Sequence, residues 1–248
     1  MTTINQYVFG LHAVDALLNK QPERVIRLCV YEERDDKKLH ALMSLAKKLG
    51  IPVCPASRKE LDNMIQDANH QGVIAFCRES RVYAESDLKH LLQHLTVPPF
   101  LLLLDGVQDP HNLGACFRSA DAAGVHAIIA PKDKAVGITP VVSKVASGAA
   151  ETLPFVQVTN LARTMEQLKE SGIWLYGADA EAKQTLYQTK LTGAIGIVLG
   201  AEGSGMRRLT RELCDVLLKI PMQGSVSSLN VSVATGIFLF EAVRQRGV

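Results

Sequence analysis

Short apolar runs and stretches with apolar positions three or four apart take turns along this chain, with polar turns between them. In residues 8–77 a helix pattern covers Leu11–Leu18 and a strand pattern Val25–Tyr31. An amphipathic helix follows from Asp35 to Leu49, with Leu39, Leu42, Leu45 or Ala46, and Leu49 on one stripe, closed by Gly50. Ile51–Cys54 reads as a strand, Ser57 and Glu60 as the capping box of a further helix, and Val73–Cys77 as the closing strand. Residues 78–98 are charge-rich, carry a short amphipathic piece (Leu88, Leu91, Leu92, Leu95) and end in Pro98-Pro99, a pattern expected of a linker. Beyond it, Phe100–Asp105, Ala127–Ala130, Phe155–Val158, Ile173–Ala178, Ile195–Leu199 and Val216–Ile220 read as strands, mostly with helix patterns between them. Val231–Arg246 reads as a last helix. This alternation predicts an α/β protein: a small N-terminal α/β unit (1–77), a linker (78–98) and a larger domain (99–248) on a mostly parallel sheet covered on both faces.

Three loops, each expected at the carboxyl end of a strand, concentrate the polar chemistry, and that edge of an open α/β sheet is where ligands bind. In LLLLDGVQDPHNLGACFRSADAAG (101–124) the apolar run breaks at Asp109-Pro110-His111-Asn112, and a helix pattern follows with Asn112 as its expected cap and Arg118 further along. A capped helix with a surface arginine and a ligand loop are both open readings here. Gly200-Ala-Glu-Gly-Ser-Gly205 places three glycines around Glu202, which suits either a tight turn or a backbone that approaches a ligand closely. Pro221–Asn230 is long and serine-rich, and runs into the last helix. Ser227, Ser228, Asn230 and Ser232 are more groups than one cap needs, which favours a binding loop.

Composition narrows the choice. Apolar residues make up 47% of 248, enough for a core, and aromatics only 5%, so that core is aliphatic. No apolar run has the length of a membrane span and no signal peptide opens the chain, so a cytoplasmic protein without a membrane role is expected. Five scattered cysteines (29, 54, 77, 116, 214) form no CxxC pair and read as reduced buried thiols; no metal site is expected, and His90 and His94 lack a third ligand. Net charge is +2, so any nucleic-acid binding must come from local patches such as Arg207-Arg208-Arg211, each of which also suits a solvated helix face. No Walker loop, dinucleotide fingerprint or Gly-x-Ser-x-Gly elbow is present, which argues against a Rossmann-type oxidoreductase or a serine hydrolase. His70 reads as a turn residue or an RNA contact, and His111 as a candidate substrate contact.

Asn112-x-Gly114-x-x-x-Arg118, Gly200-x-Glu202-x-x-Gly205, and Ile220-Pro221 leading to Ser228-Leu229-Asn230-x-Ser232 resemble the three ordered motifs of the SpoU/TrmH branch of the SPOUT methyltransferases. With GLHAV near the N-terminus and HQGV at 70–73, the likeness covers nearly the whole chain and is strongest to the members that methylate a guanosine ribose in bacterial 23S rRNA. The resemblance implies S-adenosylmethionine as donor, a trefoil-knotted catalytic domain, an N-terminal domain like the L30e-type RNA-binding fold, and a homodimer acting on 23S rRNA or a pre-ribosomal particle. It implies catalysis at Asn112, Arg118, Glu202 and Asn230, cofactor binding at Gly200, Ile220 and Leu229, and substrate contacts at His111 and Ser228. Because a guanidinium stays protonated at ordinary pH, Arg118 suits a clamp on RNA phosphate at least as well as a general base. Alternatives are a tRNA ribose methyltransferase and a non-catalytic ribosome-assembly factor; the intact motif residues argue against the latter.

Overall fold

The structure, a computed structural model, describes residues 6–34, 36–65, 69–78 and 83–247. Asp35 as a helix start, residues 79–82 of the expected linker, and residues 1–5, 66–68 and 248 of the expected domains lie outside the described residues. In chain order the elements are β1 (Gln6–Phe9), α1 (Leu11–Lys20), β2 (Val25–Tyr31), α2 (Lys37–Lys48), β3 (Val53–Ala56), α3 (Arg58–Met64) and β4 (Val73–Cys77). Then come α4 (Glu85–His94), β5 (Phe100–Asp105), α5 (Pro110–Ala122), β6 (Ala127–Pro131), α6 (Pro140–Val145), β7 (Phe155–Val158) and α7 (Leu161–Glu170). Last are β8 (Trp174–Ala178), β9 (Gln184–Thr185), β10 (Ile195–Gly200), α8 (Arg208–Leu213), β11 (Val216–Lys219) and α9 (Val231–Arg246). Two compact units result, Met1–Arg81 with Ile138–Thr152, and Val82–Gly137 with Leu153–Val248.

The first unit is built on a four-stranded sheet of order β1-β4-β2-β3, parallel only between β2 and β3. Strand alternation sorts its core onto two faces. Val73, Ala75 and Cys77 join Val14, Leu17, Leu39 and Leu42 on one side, while Ile74 and Phe76 join Phe9 and Leu61 on the other. Asp36 caps α2, and Ser57 with Glu60 forms the expected capping box of α3. The strand expected at Ile51–Cys54 lies at Val53–Ala56 instead: Ile51 is spent covering the end of α2, its N–H bonded to the Ala46 carbonyl. Two segments of the family likeness meet here. Gly10 offers no capping side chain to α1, and Gln71, in a left-handed conformation (φ 52°), reaches across to accept the Leu11 N–H at 3.0 Å. His70 is buried, accepts the Gly72 N–H at 2.9 Å and pairs with Asp62, so it serves the turn.

Residues 138–152 join this unit through chemistry the sequence pattern did not locate. Glu151 is buried and takes the Arg24 guanidinium at 2.6 Å, and Gly148 (φ 100°) lies so close to α1 that a Cβ there would come within 2.4 Å of the Ala16 side chain. The stretch expected as a linker is also partly structured. Leu88 of α4 is buried in the same core as Leu101 and Leu103, and Tyr83 bridges to Val156.

The second unit carries a seven-stranded sheet of order β7-β6-β5-β10-β8-β11-β9, every pairing parallel. β5 is buried along its whole length, as a central strand covered on both faces must be. Parallel pairing sends the chain out of β5, β10 and β11 at one edge. The register sets Gly200 opposite Asp105, so the first two polar loops leave the sheet side by side. Helix α9, which follows the third loop, packs along α5, which follows the first. Among the described residues, no helix is long and apolar enough to cross a membrane.

Candidate active site

The cap of α5 is Asp109, not Asn112. The Asp109 carboxylate accepts the His111 N–H at 3.0 Å, and Pro110 occupies the first helical position, where its missing N–H costs nothing. That choice pushes Asn112 one turn inward, where it is 7% exposed with its amide directed across to the start of α9. Asn230 caps α9: its Oδ1 accepts from the Ser232 N–H at 2.9 Å and the Ser232 hydroxyl at 2.6 Å. With the acceptor end of its amide committed to the cap, the donor end is oriented. Asn230 Nδ2 donates to Asn112 Oδ1 at 2.9 Å and to Glu202 Oε1. One carboxamide thus joins all three loops.

The glycine loop is closed on itself. Ala201 and Gly205 form an antiparallel bridge, and Gly205 N–H bonds to the Ala201 carbonyl at 3.0 Å. Gly200 is required by close approach rather than by backbone angle: a Cβ there would lie 2.0 Å from the Gly205 carbonyl carbon and 2.1 Å from the Met206 nitrogen. Glu202 is thereby projected from a tight, fixed loop.

Two clefts flank this loop and share Ala201, Glu202, Ser204, Gly205 and Val231 as a common wall. The larger, about 460 Å³, is lined on one side by Leu199, Ile220, Met222, Leu229 and Phe238 and on the other by Asp179, Arg211, Ser227 and Ser228. The smaller, about 420 Å³, is lined by Asp105–Asp109, Asn112, Lys134 and Arg207. Gly200, Ile220, Leu229 and Ser228 all fall in the larger cleft; Asn112 falls in the smaller, and Glu202 in both. Arg118 and His111 line neither. Both are exposed on α5, and neither side chain makes a hydrogen bond or ion pair among the described residues. Within one chain, then, Arg118 does not join the other motif residues. Asn112 and Arg118 lie on different faces of α5: Asn112 turns inward with Leu113 and Cys116, whereas Arg118 falls on the solvent face beside buried Phe117.

The sequence reading placed Arg207 only in a surface patch; the structure puts it in the smaller cleft with its backbone N–H on Asp105. An aspartate ending a buried apolar strand was the available signal. Burial pushes Cys77 and Cys214 up to about 12 and Cys116 to about 11, the last despite its contact with the Thr235 hydroxyl.

Residues 99–240 match the SpoU rRNA Methylase family, and residues 7–83 match a family described as RNA 2′-O ribose methyltransferase substrate binding. The chain is 58% identical to the 23S rRNA (guanosine-2′-O-)-methyltransferase RlmB of Shewanella oneidensis over 96% of its length and 97% of that protein's. It is 55% identical to the enzyme of the same name from Escherichia coli, over 98% of this chain and all of that one. Among solved structures, the SpoU methyltransferase AviRb from Streptomyces viridochromogenes in complex with the cofactor AdoMet superposes with a TM-score of 0.79 at 25% identity, covering 96% of this chain and 89% of that one.

Proposed function

This chain belongs to the SpoU rRNA methylase family, and from that premise we infer that it transfers a methyl group from S-adenosylmethionine to the ribose 2′-oxygen of a guanosine in 23S rRNA. The observation that carries the reading is the Asn230 amide, bonded at once to Asn112 and Glu202 on the wall between two clefts. Two reactants that must meet in line need two adjoining pockets, with fixed polar groups at the boundary.

The larger cleft fits the donor. Its volume lies in the range of small-molecule sites, apolar side chains can cover an adenine and a thioether chain, and exposed serines and backbone of the third loop can meet polar edges. Gly200, Ile220 and Leu229 would hold it. When bound, S-adenosylmethionine supplies a methyl group already activated on a sulfonium. The chain's own task is to aim the hydroxyl, take its proton and keep water out. Glu202 Oε1 is occupied by Asn230, while Oε2 makes no hydrogen bond among the described residues and is free to accept from the ribose hydroxyl. Asn230, itself held by its bond to Asn112, fixes that carboxylate at the boundary. Ser228, which lines the larger cleft, and His111, exposed at the start of α5, are proposed as RNA contacts.

The reading includes a homodimer, a trefoil knot around the third loop, an RNA-docking role for the N-terminal unit, and action in the cytoplasm. Support for the dimer is the row Val233, Ile237 and Phe240 on α9, of which Val233 and Phe240 are about half exposed. Helix α9 packs along α5, and Arg118, exposed on α5, would in a pair of chains serve RNA phosphate near the partner's cleft.

The test is transfer of labelled methyl from S-adenosylmethionine to RNA purified from a strain lacking the protein. The expected product is 2′-O-methylguanosine in 23S rRNA. Label in tRNA would overturn the substrate, and no label in either naked rRNA or ribosomal precursors would overturn the activity.

A further inference from the structure

Asp105 ends the central strand β5, and its side chain is fully buried at the floor of the smaller cleft. A buried carboxylate is costly unless it is paired. Both of its oxygens look to one residue. Oδ2 accepts the Arg207 N–H at 2.8 Å, and Oδ1 faces the Arg207 guanidinium at 3.4 Å without a hydrogen bond of its own. Gly106, next in the chain, has φ 85°, a backbone angle that side chains resist. It turns the chain beneath the guanidinium, with Arg207 Nη2 only 3.6 Å from where a Cβ would stand.

Arg207 is therefore held at its backbone and at one edge of its guanidinium. The side chain as a whole is about half exposed, and Nε and Nη2 make no hydrogen bond among the described residues. Arg207 lines the cleft that also holds Asn112 and Glu202. A guanidinium anchored on one side, with a planar pair of donors left over, suits bidentate binding of a phosphate. Resting on the function proposed above, the cleft beside the transferred methyl must accept the target ribose, whose nearest charged neighbours are its own phosphodiesters.

We propose that Arg207, positioned by the buried Asp105, is a substrate-binding residue that clamps the RNA phosphodiester next to the methylated ribose. It is a cation this chain brings into its own cleft, whereas Arg118 stands outside it. Asp105 is a positioning residue in this scheme and never touches the RNA.

The test is the binding of an unmodified 23S rRNA fragment, transcribed in vitro, to the full-length wild type, Arg207→Ala and Arg207→Lys across a potassium chloride series, with S-adenosylhomocysteine binding as the check on folding. Loss of one phosphate contact lowers the slope of log affinity against log salt by about 0.7 to 0.9. Arg207→Ala should show that decrease, with RNA affinity down about tenfold and S-adenosylhomocysteine affinity within about twofold of wild type. Arg207→Lys should keep most of the slope but lose several-fold in kcat/KM, because a point charge replaces the fork. If Arg207→Ala fails to fold because Asp105 loses its counter-charge, the double variant Asp105→Asn with Arg207→Gln removes both charges and reads the same slope. A wild-type slope and RNA affinity in a folded variant would overturn the proposal, as would an unchanged slope with lost preference for guanosine, which would assign Arg207 to the base. A wild type that methylates no RNA, with the slope difference intact, would overturn the reaction and leave the contact standing.

Discussion

Single side chains at the boundary of the two clefts are each bound to do two things, and substitutions can separate them. Asn230 is cap and donor at once. Asn230→Asp keeps an acceptor for the Ser232 and Val233 N–H groups but sets a second carboxylate against Glu202. Unfolding stability should stay within about 1 kcal/mol of wild type while the single-turnover rate falls about 100-fold. Glu202→Gln should retain S-adenosylhomocysteine affinity and lose about 100- to 10,000-fold in rate, the span of general-base contributions; a normal rate in a single-turnover assay would remove Glu202 from proton transfer. Gly200→Ala forces a Cβ into the backbone of Gly205 and Met206, so cofactor binding by calorimetry should be lost, whereas Gly224→Ala, with open space around it, should bind normally. At this scale the sequence singled out Asn112, Glu202 and Asn230, which the structure brings together, and spoke poorly about where side chains point. Asn112 resembled a cap because caps and amide ligands use the same side chain, and only the Pro110 ring decides for Asp109.

Elements form where their ends are satisfied, and one end here is sensitive to pH. His126 precedes β6, and its Nδ1 accepts the Phe100 N–H at 2.9 Å, which requires a neutral ring nitrogen. Burial pushes the His126 ring below its ordinary value, with the nearby Arg246 charge adding to the shift. The unfolded chain therefore binds this proton more readily than the folded one. The stability this histidine contributes is complete above about pH 6.5 and is lost as pH falls through the lower folded value. The urea midpoint should drop between about pH 7.5 and about pH 5.5 in wild type, and His126→Ala should lower the midpoint overall while flattening that part of the profile. Strands and long helices were readable from pattern: β2, β4, β5, β7 and α9 fall where the apolar runs place them. What pattern could not reveal was anything fixed by a distant partner. Among the described residues the edge strand β1 pairs only with β4, and the two-residue β9 is paired with β11.

At the level of the whole molecule, the first compact unit is assembled from two stretches that the chain separates by more than fifty residues, joined through Arg24 and Glu151. Removing one partner strands a buried charge. Glu151→Ala should cost about 3 to 5 kcal/mol by chemical denaturation, and replacing both residues by apolar ones should cost less than either single change. No local pattern announces such a pair, since Arg24 and Glu151 each look like surface residues in their own neighbourhoods. The same is true of the two clefts, which share one wall made from a loop closed by its own hydrogen bonds. A ligand in one cleft that shifts Glu202 or Val231 alters the free energy of filling the other. Thermodynamic linkage makes that influence mutual and equal: if cofactor tightens the grip on RNA by some factor, RNA must tighten the grip on cofactor by the same factor.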